Sequence, residues 1–487
     1  MSDALSWPAA TPTQRQAPAD ANPYLGGPFA PVQAERHDTQ LPVSGQLPSE
    51  LNGLYVRIGP NPMKPQKSER YHWFSGDGMV HGVRLQGGQA SWYRNAYIGS
   101  KSVRAAQGLP PLPGDTRGVF DTVNTNVYAH AGRIWASVEA GPAPVQLDGQ
   151  LQSVRHGLFD SPASVPFSAH PHLDPVTGDL HAICYDAVQH RHLQYVRVNA
   201  SGQVDRTVPI PVRHGPMVHD CAITRTQVVV MDLPVTFSWW RLLRRLFPYQ
   251  WHERHGARVG LLPRNGNAQD IRWFEVDPCY VFHPCNAYDL PDGGVVMDVC
   301  VHRFMFDASR TGPEADTQPR LERWTMPAGG QRVLRQVLHT AEQEFPRLDE
   351  RRVGQPYRFA YTVGFEVNHL GGQRLYKHDL ADVPMAATVQ RDGATPSLHS
   401  VPTEVHAFGP QRKPGEFVFV PRPGGTAEED GWLVGLVANV ETDRGELHVL
   451  DARQVSAPAV AIVQLPARVP MGFHGNWVDA KAVSGLA

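Results

Sequence analysis

The feature that most restricts how this chain can fold is a rhythm. Short β-branched or aromatic runs alternate with clusters of Gly, Pro, Asn and Asp, as in GLYVRIGPNP, GRIWASVEAG, TGDLHAICYDA, TQVVVMDLPV, GGVVMDVCVH, EFVFVPRPGG and GELHVLDAR. Runs of this length and composition suit strands, and the clusters between them suit tight turns. The fold expected is therefore all-β. Turn signals recur roughly every ten residues along a chain of 487, too many strands for one sandwich, so a radial array of small sheets, a β-propeller, accommodates the length better. No WD-like or kelch-like repeat is visible, so blade number cannot be counted from the sequence.

The ends and the charge narrow the class further. Residues 1–21 are rich in Ala, Pro, Thr and Gln without apolar periodicity and read as a flexible tail, with a single propeller domain over 22–487. Lys plus Arg number 45 against 47 Asp plus Glu, so no strong field favours nucleic acid. Five cysteines, Cys184, Cys221, Cys279, Cys285 and Cys300, form no CxxC pair and suggest neither a disulfide framework nor a zinc ribbon. With no signal-peptide pattern and no apolar run near the ~18 residues a bilayer requires, a cytoplasmic location is expected.

One segment breaks the β pattern. FSWWRLLRRLFPYQW, residues 237–251, mixes large apolar side chains with Arg241, Arg244 and Arg245, and Pro248 should end or kink any helix there. Such a helix suits a lipid headgroup layer; equally, it suits a core-facing position with solvated arginines.

Of 23 histidines, His170, His219, His283 and His474 stand apart: each follows an apolar or small residue beside a turn or strand end. Their separation excludes a local finger or an HExxH helix. A propeller brings the inner ends of its blades to one axis, so distant residues can meet there. Four neutral imidazoles would leave a divalent ion its full charge and, in an octahedral scheme, two open positions; imidazole suits iron, zinc, copper and nickel alike. Metal-bound histidines usually donate their second N–H to a carboxylate, and Glu139, Glu344 and Glu416 lie in apolar or aromatic contexts that qualify them.

These motifs together resemble the carotenoid cleavage oxygenase family. The likeness spans about residues 22–478 and includes GLYVRIGPNP, HWFSGDGMVHGV, VNTNVYAHAGRIWASVEAG, SAHPHLDPVTGDL, HDCAIT, FHPCNAYDL, EFPRLD, EFVFVPRPGGTAEEDGWL and GFHGNW. The resemblance implies a seven-bladed propeller whose face is capped by a dome enclosing a hydrophobic tunnel. It implies iron(II) held by His170, His219, His283 and His474, with Glu139, Glu344 and Glu416 bracing three of them. It also implies oxidative scission of a conjugated double bond by O2, with no catalytic side chain beyond the metal ligands. The hydrophobic polyene would reach the tunnel from a membrane through an apolar patch, here Phe237, Trp239, Trp240, Leu243, Leu246 and Phe247.

Two departures bear on substrate. Stilbene-cleaving relatives commonly carry Lys just before the first bracing Glu, where it binds a phenolic oxygen; this chain has Val138, which has no donor. The segment YRNAYIGS, residues 93–100, also differs from the family pattern, and Tyr97 and Val138 are candidates for the substrate region. A carotenoid or apocarotenoid is the expected substrate, and a stilbene or phenylpropenoid alkene the alternative. Isomerisation without cleavage and a non-catalytic binding propeller are the remaining readings.

Overall fold

In a computed structural model, residues 22–486 are described except 65, 119, 315, 366–371, 385–395, 484 and 485, so the tail expected over 1–21 lies outside the described residues. Among the described residues seven sheets of four or five strands form the blades of a propeller, accompanied by one two-stranded ribbon. Blade 2 is typical: Asn126–His130, Arg133–Ser137, Val145–Leu147 and Ser153–His156 run antiparallel from the axis outwards. Blades 3, 4, 5 and 6 begin at the axis with His172–Leu173, Ala222–Ile223, Tyr280–Asp289 and Gln343–Arg347, and blade 7 with Arg412–Pro421. The short hydrophobic runs seen in the sequence are these strands, because each is buried between neighbouring blades.

The two ends of the chain close the ring. In blade 1 the C-terminal strand Gly475–Asp479 lies innermost and pairs with the N-terminal strand Gly53–Pro60. In blade 7 the N-terminal Val43–Gly45 adds the outer edge, paired with Ala461–Gln464. This double exchange leaves no gap in the ring, and it brings GFHGNW against GLYVRIGP. Gly472 and Gly59 meet backbone to backbone there, and a Cβ on Gly59 would lie 2.6 Å from Gly472 Cα. Ile58 N donates to His474 O at 3.1 Å, so the glycines let His474 sit at the axis on a strand pinned from both ends.

The helix in segment 237–251 does end before Pro248, and it is a single turn set on a ribbon. Val235–Phe237 and Tyr249–Trp251 pair as the ribbon, and a single helical turn, Trp239–Leu243, caps it. Ribbon pairing wins because the chain must return over Pro248, whose ring rules out further helix. Phe237 and Phe247 turn inwards: Phe237 stacks on His190 at 3.8 Å and Phe247 on His72 at 4.0 Å. Leu246 is half-buried. Trp239, Trp240 and Leu243 are 61%, 62% and 78% exposed. No helix among the described residues is long and apolar enough to cross a membrane. The five cysteines are buried free thiols.

Candidate metal centre

Four blades each deliver one histidine to the axis. His170 lies just ahead of the inner strand of blade 3, His219 ahead of that of blade 4, His283 within that of blade 5, and His474 ahead of that of blade 1. All four are buried, and one ring nitrogen from each lies within 4.8 Å of the others. His283 Nε2 is 3.2 Å from His219 Nε2 and 3.1 Å from His474 Nε2.

The three glutamates stand behind three of these rings. Glu344 Oε2 lies 2.6 Å from His283 Nδ1, and Glu416 Oε1 lies 3.2 Å from His474 Nδ1. Glu139 Oε1 is 2.7 Å from His219 Nδ1, off the line of an ideal hydrogen bond, and 4.0 Å from His170 Nε2. An ionised carboxylate only accepts, so the ring proton of each braced histidine belongs on Nδ1 and its lone pair on Nε2. At the Nε2 separations above, lone pairs repel unless a metal ion lies among them or a ring proton is shared between two of them. His170 Nε2 is buried with no hydrogen-bond partner, a cost of about 1–3 kcal/mol unless something occupies it. The donor set therefore fits a divalent metal ion, and the all-imidazole chemistry fits an iron centre without singling it out from zinc, copper or nickel.

Electrostatics favours the neutral, ligating form at two of the four rings, His170 and His474. Burial, reinforced by His219, His474 and His283, holds His170 well below the ordinary imidazole value, so it stays neutral and able to ligate. Burial also lowers His474, against the pull of Glu416. At His283 burial is outweighed by Glu344, and its value rises. Burial opposes the charge of Glu416, but Arg347 and His474 prevail and bring it down to about 2, and Glu344 is lowered similarly by His283 and His302.

Irregular backbone aims these side chains. The register slips between Val281 and Pro284 around His283, between Glu344 and Arg347, and between Pro414 and Phe417 around Glu416. A bulge turns a side chain out of the alternation of its strand, here towards the axis. Ala140, next to Glu139, and Phe345, next to Glu344, have φ of 62° and 53°, costly for residues with a Cβ and typical of functional sites. The strain places the Phe345 ring over His283 at 5.4 Å.

Sequence reasoning missed several supporting residues. His172 Nε2 lies 2.8 Å from Asp220 Oδ1 and so ties the segment bearing His170, which has no close carboxylate of its own, to the one bearing His219. The spacing H-x-H and the dipeptide HD were the available signals. Tyr185 donates to Glu139 Oε2 at 2.8 Å, and Arg347 approaches Glu416 at 3.4 Å. Of the two substrate-region candidates, Val138 is half-buried against the apolar cluster of blades 1 and 2. Tyr97 is buried with Met79 and Val103, its hydroxyl 2.7 Å from Asn61 Nδ2, a packing position among the described contacts.

Aromatic rings lead from the axis to the ribbon. Phe282 meets His219 edge-on at 4.8 Å, Phe74 meets Phe282 at 6.5 Å, and Phe247 meets Phe74 at 5.8 Å. The metal candidate is thus walled by hydrocarbon on the side facing the exposed tryptophans.

Residues 29–479 match the family model of the retinal pigment epithelial membrane protein. The chain is 39% identical to a carotenoid cleavage oxygenase of Mycobacterium tuberculosis, covering 96% of this chain and 99% of that one. It is 31% identical to resveratrol cleavage oxygenase 1 of Aspergillus fumigatus, over 95% and 96% of the two chains. The crystal structure of Pseudomonas brassicacearum lignostilbene dioxygenase superposes with a TM-score of 0.81 at 26% identity, covering 94% of this chain and 98% of that one. Likeness over nearly the whole length, on a ring of seven blades with four histidines at its axis, places this protein in the carotenoid cleavage oxygenase family, a family of oxidoreductases.

Proposed function

We propose that this protein is an iron(II) dioxygenase that cleaves a carbon–carbon double bond of a carotenoid or apocarotenoid to two carbonyl products, with O2 as co-substrate. The observation that carries the proposal is the convergence of four buried imidazoles, three of them backed by carboxylates, beside an aromatic wall. His170, His219, His283 and His474 would hold the ion, and Glu139, Glu344 and Glu416 would orient three of them. When bound, ferrous iron supplies the redox chemistry through which O2 and an alkene react. The chain's own part is to hold the alkene against the axis and exclude water. Rings such as Phe74 and Phe282 do this by apolar contact, in keeping with a tunnel selected by shape.

The polyene is favoured over a phenolic stilbene because Val138 offers no hydrogen-bond donor, and a buried phenol without a partner costs about 1–3 kcal/mol. The relatives include enzymes named for both classes, and a stilbene or phenylpropenoid remains the second reading. Anaerobic loading with iron(II), followed by O2 and mass spectrometry of products from apocarotenals and from stilbenes, decides between them. Paired aldehydes or ketones from the polyene support the first reading; products from stilbenes alone move the assignment to the second. Isomerised substrate without O2 uptake would overturn both.

Access is proposed through peripheral contact with a membrane by a protein that is otherwise cytoplasmic, in keeping with its five free thiols. Trp239, Trp240 and Leu243 project from the helical turn with Arg244 stacked over Trp240 at 3.9 Å, an apolar face rimmed by cations that suits anionic headgroups. Co-sedimentation with anionic vesicles should fall when Trp239, Trp240 and Leu243 are replaced together by Ser. Equal sedimentation would remove the membrane from the proposal.

A further inference from the structure

The three bracing carboxylates differ in what holds them from behind. Glu139 receives the neutral hydroxyl of Tyr185, and Glu416 receives the Gly475 N–H at 2.8 Å with the Arg347 guanidinium at 3.4 Å. Glu344 receives the Phe345 N–H on Oε2 at 2.5 Å and, on Oε1, a fifth buried imidazole. His302 Nε2 lies 2.9 Å from Glu344 Oε1, while His302 Nδ1 lies 2.8 Å from Thr317 Oγ1. His302 ends Val295–His302, the second strand of blade 5, so it reaches from the blade that supplies His283 to the carboxylate supplied by blade 6. Phe282 meets its ring edge-on at 5.2 Å and fixes the ring plane.

The hydrogen positions follow from what each group can donate. Glu344 is ionised and only accepts, so His302 carries its proton on Nε2 and His283 carries its own on Nδ1. With one ring proton, the lone pair left on His302 Nδ1 takes the Thr317 hydroxyl hydrogen. Every donor in the run Thr317, His302, Glu344, His283 is matched, and the run ends at the axis. Glu344 sits at a register slip, just before a left-handed Phe345 whose N–H holds Oε2, and Oε1 is held by His302.

We propose that His302 is a positioning residue for the metal centre, holding the Glu344 carboxylate so that His283 keeps its Nδ1–H on Glu344 and its Nε2 lone pair on the axis. The proposal rests on the four-histidine metal reading above. It concerns a residue outside the ligand and carboxylate sets, on a different strand from both His283 and Glu344.

The test is cobalt(II) and iron(II) binding to full-length protein, with the cobalt absorption bands as the readout of ligand geometry. His302→Phe keeps an aromatic ring in place but removes both nitrogens; His302→Gln restores an N–H donor. His302→Phe should weaken metal retention at least about 10-fold, as loss of an outer partner does, and should shift the cobalt bands. His302→Gln should recover most of both. A His302→Phe protein with wild-type affinity and bands overturns the proposal, whatever its melting temperature. Equal metal loss in both variants, tracking equal loss of thermal stability, also overturns it, because packing alone would then explain the effect. Should His302→Phe fail to fold, Thr317→Val frees His302 Nδ1 without moving the ring, and unchanged cobalt bands there overturn the proposal. Wild-type protein that binds neither metal would overturn the four-histidine reading and this role together.

Discussion

The histidines at the axis and the histidines inside the blades are both buried, yet they are arranged for different ends. In blade 1, His81 Nδ1 lies 2.9 Å from Tyr93 Oη, and in blade 3, His181 Nδ1 lies 2.9 Å from Tyr195 Oη. The two pairs occupy the same diagonal of the ladder, since His81 is opposite Asn95 and His181 opposite Arg197, each two residues beyond its tyrosine. They form a hidden repeat that crosslinks adjacent strands within a blade. At the axis the rings instead point away from their own blades and towards each other. A charged partner does not make the difference: His448 in blade 7 lies 2.7 Å from Glu446, as close as any axial histidine is to its carboxylate except His283. What separates the two sets is convergence, four ring nitrogens from four blades meeting within 4.8 Å of one another.

The largest effect that would break this comparison is in metal content. His283→Ala removes an imidazole that lies close to two others, and iron retained after dialysis should fall more than about 100-fold, beyond what loss of an outer partner causes. Iron retention at the wild-type level would mean that convergence at the axis is not a metal site. Glu344→Ala leaves all four rings and should cost about 10- to 100-fold in retained iron. Equal loss in the two variants would erase the distinction between holding the ion and orienting its holder.

The blade histidines should behave in the opposite way. His448→Leu deprives the buried Glu446 of a partner and should lower stability by about 1–3 kcal/mol while leaving iron content unchanged. Tyr195→Phe strands His181 Nδ1 and should cost about 1 kcal/mol, read as a shift in the denaturation midpoint, again with full iron content. Iron loss in either would show that the blades and the axis are not separable.

A pH dependence sharpens the same contrast. Burial, with Arg57 near His81 and Arg264 near His181, pushes each of these imidazoles down to about 3, so both are neutral in the folded protein. The unfolded chain binds a proton there below about pH 6.5. Because the folded value is the lower one, their contribution to stability is complete above that pH and is lost as pH falls towards 3. The slope is at most about 1.4 kcal/mol per pH unit for each. Urea unfolding at pH 7 and pH 5 should therefore show less acid sensitivity in His181→Leu than in wild type. An unchanged slope would mean that this histidine is not held neutral by burial.

The sequence by itself determined the class of fold. β-branched runs and Gly/Pro-rich turns act over a few residues, so they are legible without knowing what packs on what, and the motifs around His170, His219, His283, His474, Glu139, Glu344 and Glu416 could be matched to a family. Tertiary structure alone decided which atoms meet. Ring closure by Gly475–Asp479 against Gly53–Pro60 sets His474 beside rings from three other blades, and no local pattern encodes that proximity. The slips at His283, Glu344 and Glu416 turn side chains to the axis through long-range pairing, and the left-handed Phe345 is held by its surroundings against its own preference. His302 looked like any other histidine in an apolar strand, and Phe237 and Phe247 looked like lipid-facing residues. Their roles depend on partners far away in the chain, Glu344 for the first and His190 and His72 for the others, and such partners exist only once the blades have assembled.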